Sequence, residues 1–146
     1  MTSYQSIVSK FETSSNENVY YNDFVHGGID AFYQEADWQY PLLYLRPLAS
    51  PGITTAKERI LAFELYSLDL PSLGNQDPIQ VMSNTEQGLY NTISWFNRGQ
   101  YQQEIGVTLN GITPTFEAFQ DRVYGWVGSI SVIESGVWDY CVFPTN

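Results

Sequence analysis

The chain has 146 residues, with 16 Asp+Glu against six Lys+Arg for a formal net charge of −10, one histidine, one cysteine and an aromatic content of 16%. Such acidity argues against gripping DNA, whose non-specific affinity comes from many Lys and Arg side chains displacing counterions, and so few Cys and His argue against zinc or histidine-centred chemistry. The balance points to a single domain over 1–146 that works by contact, large enough to bury roughly 70% of its unfolded surface without disulfide or metal.

In chain order, Tyr4, Ile7, Val8 and Phe11 repeat at helical spacing, with Thr2 or Ser3 as cap. Thr13 to Asn18 is polar and without period, which predicts a loop. Tyr20, Phe24, Gly28, Ala31 and Phe32 fit one face of a second helix, weakened at Gly27-Gly28. The first 35 residues therefore read as a helical segment, ahead of a sheet-and-helix body over 40–135 and a tail over 136–146.

Tyr40-Pro41 sets an extended entry to the apolar run Leu42-Leu43-Tyr44-Leu45, which Arg46-Pro47 closes: a buried strand. Ser50-Pro51-Gly52 marks a turn, and Ile60 to Leu70 reads as a strand whose Glu64, Ser67 and Asp69 imply partial exposure. Asp77-Pro78 is a helix start, and Ile79, Met82, Glu86, Leu89, Ile93 and Phe96 form one stripe to a stop near Gly99. Ile105, Val107 and Leu109 alternate as a half-buried strand ending at the turn dipeptide Asn110-Gly111. Pro114 to Phe119 is a further short strand or crossing. Asp121 to Ile133 is a long one, with Trp126, Ile130 and Val132 on one face and Ser129 and Ser131 on the other. The expected fold is α+β: two layers, a mostly antiparallel sheet of four to five strands with helices packed on one face.

Candidates for chemistry are few. His26 and Cys141 are the only nucleophile–base pair of that type, and each also reads as a packing residue, Cys141 as a small buried hydrophobe before Val142 and Phe143. Glu64 with Asp69 and Glu117 with Asp121 are carboxylate pairs without a motif. Gly125-Trp126-Val127-Gly128 lies in a strand pattern, where glycines relieve crowding or permit a bulge, and no phosphate-cradling loop is present. Catalysis, cofactor and metal are therefore not expected. The first residues show no basic region followed by an apolar run, and no stretch reaches the roughly 20 apolar residues of a membrane span. The aromatics Trp138, Tyr140 and Phe143 cap the core, stack on a sugar or belong to a subunit interface.

Three tracts carry a resemblance. Phe24-Val25-His26 with Ile29, Phe32 and Tyr40 to Pro47 forms the first; Phe63 to Asp69 leading to Val81-Met82-Ser83-Asn84-Thr85 forms the second; Pro114, Phe116 and Phe119 to Trp126, closing with Cys141 and Pro144, forms the third. In order and spacing they resemble a small virion protein family of tailed bacteriophages, most like tail-terminator proteins. Asn91 departs from the pattern, standing where an acidic residue is expected.

The resemblance implies a structural, non-enzymatic component of the neck or upper tail, made in the host bacterial cytoplasm and located in the virion. It would close a ring, commonly hexameric, joining the tail tube to the neck. Its partners would be further copies of itself, the tail-tube protein and connector proteins, with DNA passing through an acidic lumen unbound. Another neck ring, a tail-tube component or a non-viral aromatic-rich binding module are the alternatives. Tyr4, Phe11, Trp138 and Tyr140 are the candidate subunit-interface residues.

Overall fold

The computed structural model describes residues 3–28, 38–53, 58–71, 77–98, 105–118 and 123–135. Helix α1 (Tyr4–Glu17) starts where expected, because the Ser3 hydroxyl accepts the free Ser6 amide at 3.1 Å. It runs beyond the expected stop, through the polar tract after Glu12. The Thr13 and Ser14 hydroxyls donate to the carbonyls of Ser9 and Phe11, so these side chains are satisfied inside the helix, and Ser14 and Ser15 are small enough to be buried.

The predicted second helix is replaced by strand β1 (Asp23–His26), which lies parallel to β2 (Leu42–Pro47), Phe24 opposite Leu43 and His26 opposite Leu45. Ala31 and Phe32 lie outside the described residues. Four residues are too few to show alternation in a sequence, and the pairing with β2 is what makes the segment a strand. The Leu42 to Leu45 run is fully buried, as a strand covered on both faces must be.

The expected turn at Ser50-Pro51-Gly52 holds the two-residue strand β3 (Gly52–Ile53), with Gly52 at φ +74°. Strand β4 (Glu58–Asp69) pairs with β2 and β3, and with β6 (Val123–Ser135) along twelve matched positions from Glu58↔Ser135 to Asp69↔Tyr124. Strand β5 (Gly106–Ala118) then pairs with β6. Asn110-Gly111 is therefore no hairpin: the two short strands predicted around it are one, and the dipeptide sits in a bulge between Leu109 and Gly111, where the Asn110 amide donates to Ser131 Oγ at 3.0 Å. Among the described residues the sheet has six strands in the order β1-β2-β4-β6-β5, with β3 on β4, and every pairing except β1–β2 is antiparallel.

Helix α2 (Pro78–Arg98) begins at the predicted cap, the Asp77 carboxylate accepting the Ile79 amide. Its buried side differs from the expected stripe. Val81, Thr85, Gly88, Leu89, Thr92 and Phe96 face inward, while Ile79 is exposed and Glu86 half-buried. Thr85 and Thr92 enter the core at little cost because their hydroxyls donate to the Val81 and Gly88 carbonyls four residues back. Gly88 is required there: a Cβ would stand 2.6 Å from the Tyr21 hydroxyl.

Both helices pack on one face of the sheet, over a core that includes Ile7, Phe11, Leu45, Phe63, Leu65, Leu89, Phe96, Ile130 and Val132. The opposite face carries a second apolar cluster of Val25, Leu42, Tyr44, Tyr66, Leu68 and Val123, packed by Trp38 and Tyr40. Among the described residues, no helix is long and apolar enough to cross a membrane.

Candidate functional site

Of the candidate interface residues, Tyr4 and Phe11 do not share a surface. Tyr4, on the first turn of α1, is 37% exposed, and its hydroxyl lies 2.7 Å from His26 Nε2. Burial holds the His26 imidazole below its usual pKa, which favours the neutral ring, and the ring's tautomer sets which of the two atoms donates. His26 thus anchors α1 to the edge strand β1. Phe11 is 0% exposed, its ring 4.4 Å from Phe96 and 6.1 Å from Phe63. Phe11 is a core residue and is withdrawn from the interface set, because a side chain enclosed by its own subunit offers nothing to a neighbour. Trp138 and Tyr140 lie outside the described residues, as does Cys141.

Of the two carboxylate pairs, Glu64 with Asp69 does not converge. Glu64 and Asp69 are separated by an odd number of positions along β4 and so point to opposite faces of the sheet. Glu64 is half-buried and lies 3.6 Å from Arg46 on β2. Ser67 and Asp69, expected to be partly exposed, are buried. The side chains of Glu117 and Asp121 lie outside the described residues. Among the described residues, no three His, Cys, Asp or Glu side chains group as metal ligands.

What the sequence missed is a buried polar cluster joining three elements. The Tyr21 hydroxyl meets Ser67 Oγ at 2.7 Å beneath α2 near Thr92, and burial, partly offset by these two hydroxyls, pushes its pKa up. The Tyr20 ring stands edge-on to Tyr21 at 5.0 Å, and its buried hydroxyl faces Asp69 without reaching full hydrogen-bond geometry. Burial raises the Asp69 pKa, against the Leu70 amide donated to Oδ1 at 2.8 Å and the Tyr20 phenol. Only the adjacent aromatics, Tyr20-Tyr21, gave a local signal of this site. Its partners come from the strand and the helix.

A raised carboxyl pKa has a definite sign. The folded state holds the Asp69 proton to higher pH than the unfolded chain does, so this group's contribution falls as pH rises from the unfolded pKa to the folded one. Asp69→Asn keeps an oxygen for the Leu70 amide and removes the buried charge. It is expected to stabilise the protein at neutral pH relative to the parent and to leave stability unchanged in acid below both pKa values. Urea midpoints across that range check this; a loss of stability at neutral pH overturns it.

Described residues line two concavities on the surface. At the start of α2, Pro78, Ile79, Met82, Pro114 and Trp126 line an apolar groove of about 310 Å³. Trp126 is fixed there by donating its indole N–H to the Met82 carbonyl at 2.8 Å, and Ile79 is 76% exposed. Between the helices, Ser14, Glu17, Asn18, Asn91, Thr92 and Trp95 line a smaller cleft of about 190 Å³, where the Trp95 indole donates to Glu17 at 2.6 Å. On the sheet face away from the helices, the β5–β6 half presents exposed Thr108, Thr113 and Ser129. Among the described residues the groove's lining is apolar and carries no titratable side chain, and its indole N–H is already donated, so it is suited to binding apolar surface. No protein-family model matches the chain, and no curated protein matches it at a significant level.

Proposed function

We propose that the chain is a structural subunit of a tailed-bacteriophage virion, a tail terminator that closes a ring at the head–tail junction. Other neck rings and tail-tube components are the neighbouring readings. Support comes from the order and spacing of the three resembling tracts and from an α+β domain that carries an apolar groove on its surface. The groove carries the most weight. In a chain of net charge −10, apolar residues such as Ile79 left in water beside Trp126 fit a surface that another protein covers.

A closed ring needs two different complementary surfaces on each subunit. The groove supplies one candidate, and the exposed edge of Tyr4 remains another. A lumen for DNA is served by surplus carboxylates and few cations, which do not hold phosphate. Virions gold-labelled on this protein and imaged in negative stain are expected to carry label at the head–tail junction. Label elsewhere, or virions without label, removes the proposal.

A further inference from the structure

We propose that the outer edge of β5 is closed to strand pairing, and that Asn97 is the side chain that closes it. Among the described residues β5 ends the sheet, and a thirteen-residue edge strand offers a row of backbone donors and acceptors on which another chain can build. The helix layer interrupts that row. Asn97, in the last turn of α2, donates its amide N–H to the Val107 carbonyl at 3.1 Å and accepts the Val107 amide on Oδ1 at 3.4 Å. A side-chain amide bound at both ends to one residue occupies the two groups an added strand would need.

The register extends the argument. Val107 faces Val132, and beyond the Asn110 bulge Pro114 faces Trp126, so Val107, Leu109, Ile112 and Pro114 all oppose even-numbered residues of β6. In an antiparallel pair, alternate residues turn their backbone groups outward. Val107 is outward because Asn97 holds it, which places Leu109, Ile112 and Pro114 in the same set. Proline has no N–H to offer, and the bulge between Leu109 and Gly111 breaks the straight ladder a partner would follow. Val107 is occupied, Pro114 lacks a donor, the strand kinks between them at the Asn110 bulge, and beyond Pro114 the ladder is broken again by a register shift between Thr115 and Ala118. The opposite edge, β1, is four residues long. Association of this chain with copies of itself or with other proteins therefore runs through side-chain surfaces such as the apolar groove and not through a continued sheet.

Hydrogen exchange and size measurement on the full chain test this together. The Val107 amide is expected to be protected in the parent and to exchange about tenfold faster in Asn97→Ala, the scale of one hydrogen bond, with Gly106 and Thr108 unchanged. The double variant Asn97→Ala with Pro114→Thr is expected to gain a concentration-dependent larger species with new protection along β5. Should the double variant not fold, the single variant's exchange decides the matter. Equal Val107 exchange in parent and Asn97→Ala, or a folded double variant with the parent's size distribution at every concentration, overturns the proposal.

Discussion

Truncating Phe11 to alanine is expected to destabilise the subunit by about 3–5 kcal/mol, the range for deleting a fully buried aromatic side chain. The ring is enclosed by Phe63 of β4 and Phe96 of α2, so its loss opens a void where the two helices and the sheet meet. Much of a domain's whole margin, roughly 5–15 kcal/mol, depends on that one contact set. Tyr4→Ser, on the same helix, removes a partly exposed ring and its bond to His26, and its cost is expected to stay near 1 kcal/mol. The contrast separates packing from assembly. A change in oligomeric state in Tyr4→Ser at preserved stability speaks to a surface, whereas any such change in a Phe11 variant reflects an unfolding subunit. Chemical denaturation with an unchanged slope measures both, and a Phe11→Ala cost below that of Tyr4→Ser contradicts the packing described.

Gly125→Ala is expected to cost about 3 kcal/mol or more, at or above the upper end for overpacked cores. The added Cβ would overlap the Ser67 carbonyl oxygen and stand 3.0 Å from the Ser67 carbonyl carbon and 3.1 Å from Leu68 Cα. These are backbone atoms of the central strand, not the movable end of a side chain. Relief would require separating β6 from β4, which are paired along their length, and would disturb the bond between Ser67 and Tyr21 on which the buried polar cluster is built. Gly111→Ala is the matched control. Its Cβ meets nothing within 4 Å, and the change is expected to fall within about 0.5 kcal/mol of the parent. Thermal and urea unfolding of the pair provide the comparison; a Gly125→Ala protein as stable as Gly111→Ala contradicts the close approach of the two strands.

The features legible in the sequence were those whose cause is local. The Ser3 and Asp77 caps act on amides two or three residues away, the Leu42 to Leu45 run is apolar because both its faces are covered, and Trp126, Ile130 and Val132 alternate along one strand. The crowding that explains Gly125 was also readable in kind, although its cause, the Ser67 carbonyl, was not. Caps, runs and alternation together were enough for an α+β fold with one helix-covered sheet.

The tertiary structure decided the rest, and in each case the deciding group is far along the chain. Phe24 to His26 became a strand because Leu43 to Leu45 stood ready to pair. Asn110-Gly111 became a bulge because β6 continues opposite it without turning back. The inward face of α2 follows Thr85, Gly88 and Thr92 because the two threonine hydroxyls bond within the helix and Tyr21 fills the space a side chain at 88 would take. Phe11 carries the same helical spacing as Tyr4, yet one is enclosed and the other reaches water. Spacing fixes which residues share a side of a helix; how deeply each one sinks depends on what the sheet places beneath it.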